Sequence, residues 1–181
     1  MKNIISGMTK YTLAGFTGIL IFSGCTATSA PEPTNMKAQS KEFKIDANDV
    51  LTVSVNSNPD VTITEDSKHR IEQKIVSEIN THKLQNTNVD KVKKYHLAVQ
   101  LTKYDKGNAF ARMMLAGLGQ IHIDSNTNVL VLPQKTKVAE FTLDKTFAWG
   151  GLYGAGTTIE TVEDGFAKGI AEAVTLTKEK K

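Results

Sequence analysis

The alternation of apolar and polar positions divides the chain into short elements from about residue 50 onward. In Val50-Leu51-Thr52-Val53-Ser54-Val55, Leu51, Val53 and Val55 make one wholly apolar face. Val50, Thr52 and Ser54 make a mixed one. A period of two in β-branched residues predicts a strand. Asn56 to Asp60 (NSNPD) supplies the turn residues that end it. The period then lengthens to four: Ile71, Ile75 and Ile79 form a narrow stripe, and Lys68, Arg70, Glu72, Lys74 and Glu78 occupy the other faces. This predicts an amphipathic helix. Thr64 is its N-cap, and Glu65 and Asp66 sit at the positive end of its dipole.

Three more strands follow. Tyr95 to Tyr104 sets Tyr95, Leu97, Val99 and Leu101 against His96, Ala98, Gln100 and Thr102. From Gln120 toward Leu132, Ile121 and Ile123 alternate with His122 and Asp124. The last strand places Ala139, Phe141 and Leu143 on one face. Asp105-Lys106-Gly107-Asn108 and Pro133-Gln134-Lys135-Thr136 read as turns. Ala109 to Leu118 reads as a short helix or a packed loop, and Gly150 to Gly156 as a flexible strand-to-helix connection. A final helix spans roughly Thr158 to Thr175, with Ile159, Val162, Phe166, Ile170 and Val174 at helical spacing. The order β-α-β-β-β-α predicts an α/β fold of the α+β type. It has a mainly antiparallel sheet of about four strands, with two helices packed on one face.

The N-terminal pattern is different. Lys2 and Lys10 precede an uncharged, mostly apolar run, Tyr11 to Phe22. As a helix those residues span about 18 Å, against about 30 Å of bilayer hydrocarbon, so the run is a signal sequence and not a span. Ile21-Phe22-Ser23-Gly24-Cys25 resembles the lipobox of bacterial lipoproteins, with Phe22 where the pattern prefers Leu. The resemblance implies cleavage before Cys25, a diacylglyceryl thioether on its sulfur, and acylation of the new amino group. Thr26 stands where Asp would resemble an inner-membrane retention signal, which implies the outer membrane, with the domain in the periplasm. Thr26 to Lys41 (TATSAPEPTNMKAQSK) lacks apolar periodicity and reads as a flexible spacer. The expected division is 1–24 signal peptide, 25–41 lipidated cysteine and tether, and 42–181 a single domain.

Charge and candidate chemistry narrow the function. Basic residues number 22 and acidic ones 19. The leader takes two of the basic residues and none of the acidic ones, leaving +1 on the remainder. Such a chain has no electrostatic footprint for nucleic acid. Cys25 is the only cysteine, so no intramolecular disulfide forms. Gly151 to Thr158 (GLYGAGTT) has the glycine spacing of a phosphate loop, but Thr157 stands where its lysine belongs. The histidines His69, His82, His96 and His122 have no metal-ligand spacing. His96, His122 and Asp124 could meet on the wetter sheet face, against the plainer reading as surface polar residues. The expectation is no metal and no cofactor. No Ser/His/Asp order or paired carboxylates stand out, which favours a non-catalytic protein. A small periplasmic hydrolase with a spatially assembled site is the competing class.

Arg112 is one of two arginines beside 20 lysines. Its planar fork suits either several backbone carbonyls of the Gly-rich segment or an anionic partner. Met113, Met114, Leu115 and Leu118 are core if buried and a protein-contact patch if exposed. Tyr104 to Gly119 (YDKGNAFARMMLAGLG) resembles the Gly-Asn-x-x-x-Arg segment with trailing glycines of the domain-of-unknown-function family 4410. The likeness covers most of residues 45–176 and departs at Pro133 to Thr136, where an Asp-x-x-Thr-Gly-like turn is expected. It implies a fold and a location. Candidate partner or structural contacts are Arg112, Gly107, Asn108, Gly151, Gly154 and Gly156. The partner would be an envelope protein or a glycan, with the membrane reached through lipid on Cys25. A second resemblance, of Ile45 to Val55 with Asn58-Pro59-Asp60 to the opening of polysaccharide-export lipoproteins, gives an alternative accessory role.

Overall fold

The computed structural model describes residues 26–39, 43–83, 92–115 and 117–175. Five strands form one sheet: β1 (Thr34–Ala38), β2 (Val50–Ser57), β3 (Lys94–Asp105), β4 (Ile121–Val131) and β5 (Thr136–Phe147). Their order is β1-β5-β4-β3-β2. All pairs are antiparallel except β2 with β3, which run parallel. Parallel neighbours require a crossover. Helix α1 (Glu65–Lys83) supplies it and packs against β2. Helix α4 (Ile159–Thr175) lies beside α1, over β4 and β5. Two short helices, α2 (Ala109–Met114) and α3 (Gly151–Gly156), pack on each other. The α+β class and its two main helices are as the pattern predicts.

The core lies between the sheet and the two long helices. Leu97, Val99 and Leu101 of β3, Ile121 and Ile123 of β4 and Leu143 of β5 face Ile71, Ile75, Val162, Phe166 and Ile170. Helix α1 is otherwise mostly polar. Its adhesion rests on Ile71, Ile75 and Ile79, all fully buried, each contributing about 2 kcal/mol. Thr64 caps it as expected, its Oγ1 accepting from the Ser67 N–H at 3.2 Å.

Three features depart from the sequence reading. Residues 26–39, expected as a free spacer, lie on the domain. Ala27 is buried, and Thr34–Ala38 forms the fifth strand, on the open edge of β5. Backbone pairing with β5 needs no apolar periodicity in β1, so the pattern carried no sign of it. The Gly-rich connection is partly the helix α3. Thirdly, a bulge between Leu101 and Lys103 turns Tyr104 onto the core face, against strict alternation.

Candidate functional site

Turn chemistry folds the segment after β3 back on itself. Gly107 has a φ of +61°, and a Cβ there would stand 2.1 Å from the Gln120 carbonyl oxygen. The side chain of Asn108 caps α2 by accepting from the Ala111 N–H at 3.0 Å. Its own N–H donates to the Gly119 carbonyl at 3.1 Å. Residues 107–108 and 119–120 therefore cross at backbone contact, and glycine at 107 makes the crossing feasible.

Arg112 ties this loop to α3. Its Nε donates to the Gly154 carbonyl at 2.8 Å and its Nη2 to that of Thr157 at 3.0 Å. Its Nη1 donates to the carbonyls of Gly119 at 2.6 Å and Lys106 at 3.3 Å. The side chain is buried, and that burial lowers its pKa. Four carbonyls replace the lost water, and two of them end α3, where a cation is favourable. Gly154 is where the two short helices meet. A Cβ there would stand 2.0 Å from the Trp149 carbonyl oxygen and 3.5 Å from the Arg112 Cβ. Gly151 begins α3 at a φ of +68°, whereas nothing lies within 4 Å of a Cβ at Gly156. Arg112, Gly107, Asn108 and Gly154 thus belong to one brace, and Gly151 and Gly156 lie on its rim.

The brace holds a knob of apolar side chains in solvent. Phe110, Met114 and Leu115 are exposed on α2 and at its end; Trp149, Leu152 and Tyr153 are exposed on and before α3. Leu152 is 86% exposed, far beyond an ordinary surface leucine. Tyr153 stacks edge-on to Trp149 on one side and to the buried Phe147 on the other, linking the knob to the core. Residues 107–121 and 146–159 carry one charged side chain, Arg112, and it faces inward. Of the two readings for Met113, Met114, Leu115 and Leu118, exposure removes the core one.

The N-terminal segment arrives beside this knob. The Tyr153 hydroxyl accepts from the Ala27 N–H at 3.5 Å. Lys145, in the core register of β5, donates from its Nζ to the carbonyls of Thr26 at 2.9 Å and Ser29 at 2.6 Å, and to the Ser29 Oγ at 3.0 Å. Gly165 and Gly169 of α4 let the segment lie close. A Cβ at Gly165 would meet the Ala27 and Ser29 carbonyl oxygens at 2.6 Å, and one at Gly169 would meet Pro31 at 2.7 Å. Cys25 itself lies outside the described residues.

Other candidate sets are not brought together. On β4, His122 pairs with Asp105, whereas His96 pairs with Leu130, eight residues or about 27 Å further along the strand. His96 is held instead by Thr52 Oγ1 at 2.9 Å and Ser54 Oγ at 3.1 Å. Asp124 is raised by burial and by Asp144 directly opposite it on β5. The phosphate-loop-like run spends backbone groups on α3, with Gly154 N–H on Gly150 and Thr157 N–H on Tyr153. The residues resembling an export lipoprotein are structural: Ile45 is in the core, and the Asp49 carboxylate accepts from the N–H groups of Asp46 and Lys93.

Among the described residues, Glu163 and Lys145 are buried charges that the pattern reading passed over. Glu163, fully buried on α4, accepts from Arg70 Nε and Nη2 at 2.8 and 2.9 Å and from the Tyr104 hydroxyl at 2.8 Å. Lys74 Nζ is 3.3 Å away. The cluster fastens α1 to α4. The signal was present, since Glu163 and Lys145 each interrupt an apolar register: Val162 to Phe166 on α4, and Leu143 to Phe147 on β5.

The family model described as "Domain of unknown function (DUF4410)" matches residues 34–151. A search of curated proteins finds no match. Among solved structures, the PelC dodecamer from Paraburkholderia phytofirmans has a TM-score of 0.52 with 11% identity, over 77% of this chain and 98% of that one. A substituted PelC dodecamer from the same organism has a TM-score of 0.50 with 13% identity, over 78% and 97%. At such identities the likeness is one of fold. Among the described residues, no helix is long and apolar enough to cross a membrane.

Proposed function

The chain belongs to the DUF4410 family, and from that premise we propose that it is a lipid-anchored envelope protein acting as a non-catalytic binding or assembly factor. Its anchor is lipid on Cys25, and its place is the periplasmic face of the outer membrane. The observation that carries the reading is the Arg112-braced knob. A protein that spends a buried arginine and several constrained glycines on presenting apolar side chains to solvent is built for contact. The knob offers no charged side chain to a reacting group, because Arg112 is committed to four backbone carbonyls.

Assembly with further copies of itself is supported by the fold shared with PelC, whose structures are dodecamers. Among the described residues the edge strands of the sheet are β1 and β2, which run in opposite directions. A contact between such unlike edges is head-to-tail, and head-to-tail contacts form rings where the rotation between copies closes and filaments where it does not.

The test uses the full chain produced with its leader in a Gram-negative host. Labelled palmitate incorporated into the protein, and lost with Cys25→Ser, supports the anchor. Size-exclusion chromatography with multi-angle light scattering at micromolar concentration reads the assembly of the extracted protein in mild detergent. A discrete multimer of the processed chain is expected. A monomer at micromolar concentration sinks the assembly reading, and an unlabelled protein sinks the anchor.

A further inference from the structure

We propose that the knob formed by α2, α3 and Trp149 is a lipid-docking surface, held against the bilayer in register with the acylated cysteine. The inference rests on the anchor reading above and deepens it: the occupant of the knob is the lipid surface that receives the acyl chains.

Position is the first argument. Thr26 is the residue after Cys25, and its carbonyl is held by Lys145. Ala27 is in contact with Tyr153. Two peptide steps of about 3.8 Å each therefore limit how far Cys25 can stand from the knob, whatever its own conformation. A sixteen-residue spacer would let the domain hang away from the lipid. A segment clasped by Lys145 and seated on Gly165 and Gly169 cannot. Acyl chains entering the bilayer from Cys25 bring Leu152, Trp149 and Tyr153 to the interface with them.

Chemistry is the second argument. The knob combines long aliphatic tips with one Trp and one Tyr, the rings that favour the headgroup level of a bilayer. Its exposed part has no charge to desolvate. An interfacial apolar face sinks about 5–10 Å, which the length of a Leu, Met or Phe side chain matches.

Trp149 is the only tryptophan of the chain, so its emission reports on the knob alone. The lipidated full chain is reconstituted into phosphatidylcholine–phosphatidylethanolamine vesicles with and without brominated acyl chains. Acylation is read by intact mass and attachment by flotation. Bromine should reduce Trp149 emission to about half or less, the response of a ring at the interface. In the doubly substituted Phe110→Asp, Leu152→Asp chain, which alters only exposed positions, quenching should largely disappear while flotation persists. A protein that is acylated and floats, but whose Trp149 is unquenched, overturns the docking proposal and leaves the anchor intact. So does a Trp149 shielded from bromine by crosslinking of the knob to another polypeptide. A protein of unmodified mass overturns the anchor reading and the docking with it.

Discussion

Lys145 places its ammonium 2.6 Å from the carbonyl oxygen of Ser29, from a position in β5 where alternation calls for an apolar residue. The bond joins the interior of the sheet to the segment that follows Cys25. Removing it should free the strap before it unfolds the domain. Lys145→Met keeps the stem and deletes the charge, leaving the Thr26 and Ser29 carbonyls to seek water by detaching. Limited proteolysis should then cut within residues 26–33, ahead of the paired strand β1, while circular dichroism keeps the helical signal. A strap that stays protected in Lys145→Met would show that the contacts at Gly165 and Gly169 and the pairing of β1 hold it without the lysine.

Arg112→Lys tests the brace. An ammonium is a compact charge with three donors and cannot span four carbonyls on two segments. The carbonyls of Gly154 and Thr157 lie on one side and those of Lys106 and Gly119 on the other, so one group is abandoned. Buried hydrogen bonds to a charge contribute about 1.5–3 kcal/mol, and the expected loss is of that size or somewhat larger. Thermal unfolding followed by Trp149 fluorescence should report it. An unchanged melting temperature, with docking lost, would make Arg112 an outward contact instead.

The glycines of the Gly-rich run should divide sharply. Gly154→Ala drives a methyl into the Trp149 carbonyl at 2.0 Å, and backbone cannot yield cheaply. A loss of more than about 2 kcal/mol is expected, in the range of overpacked sites. Gly156→Ala meets nothing within 4 Å and lies in a helical stretch, so it should be neutral or gain about 0.5–1 kcal/mol from a stiffer unfolded chain. Equal melting temperatures for the two variants would refute the close approach of Gly154 to the Trp149 carbonyl.

How far the sequence reveals this follows from which forces leave a pattern. The strands β2 to β5 and the helices α1 and α4 each bury one face, so Ile71, Leu97 and Phe166 recur at readable spacing. Strand β1 is exposed along its length and held by backbone pairing, which any polar residue can make. The brace was half legible: the Gly-Asn-x-x-x-Arg spacing and the rarity of arginine pointed to Arg112, but its carbonyl partners at Gly154 and Thr157 lie 42 and 45 residues away. Whether Met114 and Leu115 are core or surface depends on that distant contact, so composition left it open.

One buried hydroxyl offers a stabilising change. Thr127 on β4 is almost fully buried, and among the described residues its Oγ1 has no hydrogen-bond partner. A buried hydroxyl without a partner costs about 1–3 kcal/mol. Thr127→Val keeps the β-branched shape that suits a strand and removes the polar atom. The expected gain is about 1 kcal/mol, or roughly 2–4 °C in melting temperature for a chain of this size. A lower melting temperature would mean that the hydroxyl is satisfied in solution.

Alkaline pH should unfasten the link between α1 and α4. Burial, then the hydrogen bond to Glu163, pushes the Tyr104 phenol up to about 12 from an ordinary value of 10. Burial also raises Tyr95 to about 12. In the unfolded chain both phenols lose their protons near pH 10, whereas the folded chain keeps them until about pH 12. Between those values the unfolded state binds fewer protons, so stability falls as pH rises. The contribution is complete below pH 10 and gone above pH 12. Lysines titrate in the same window, so Tyr104→Phe isolates one phenol. That variant loses the bond to Glu163 but should show a shallower decline of melting temperature from pH 9.5 to 12. Tyrosinate absorbance at 295 nm gives an independent reading, with Tyr95 and Tyr104 ionising only as the fold melts. An identical pH slope in the two proteins would remove Tyr104 from the account of alkaline unfolding.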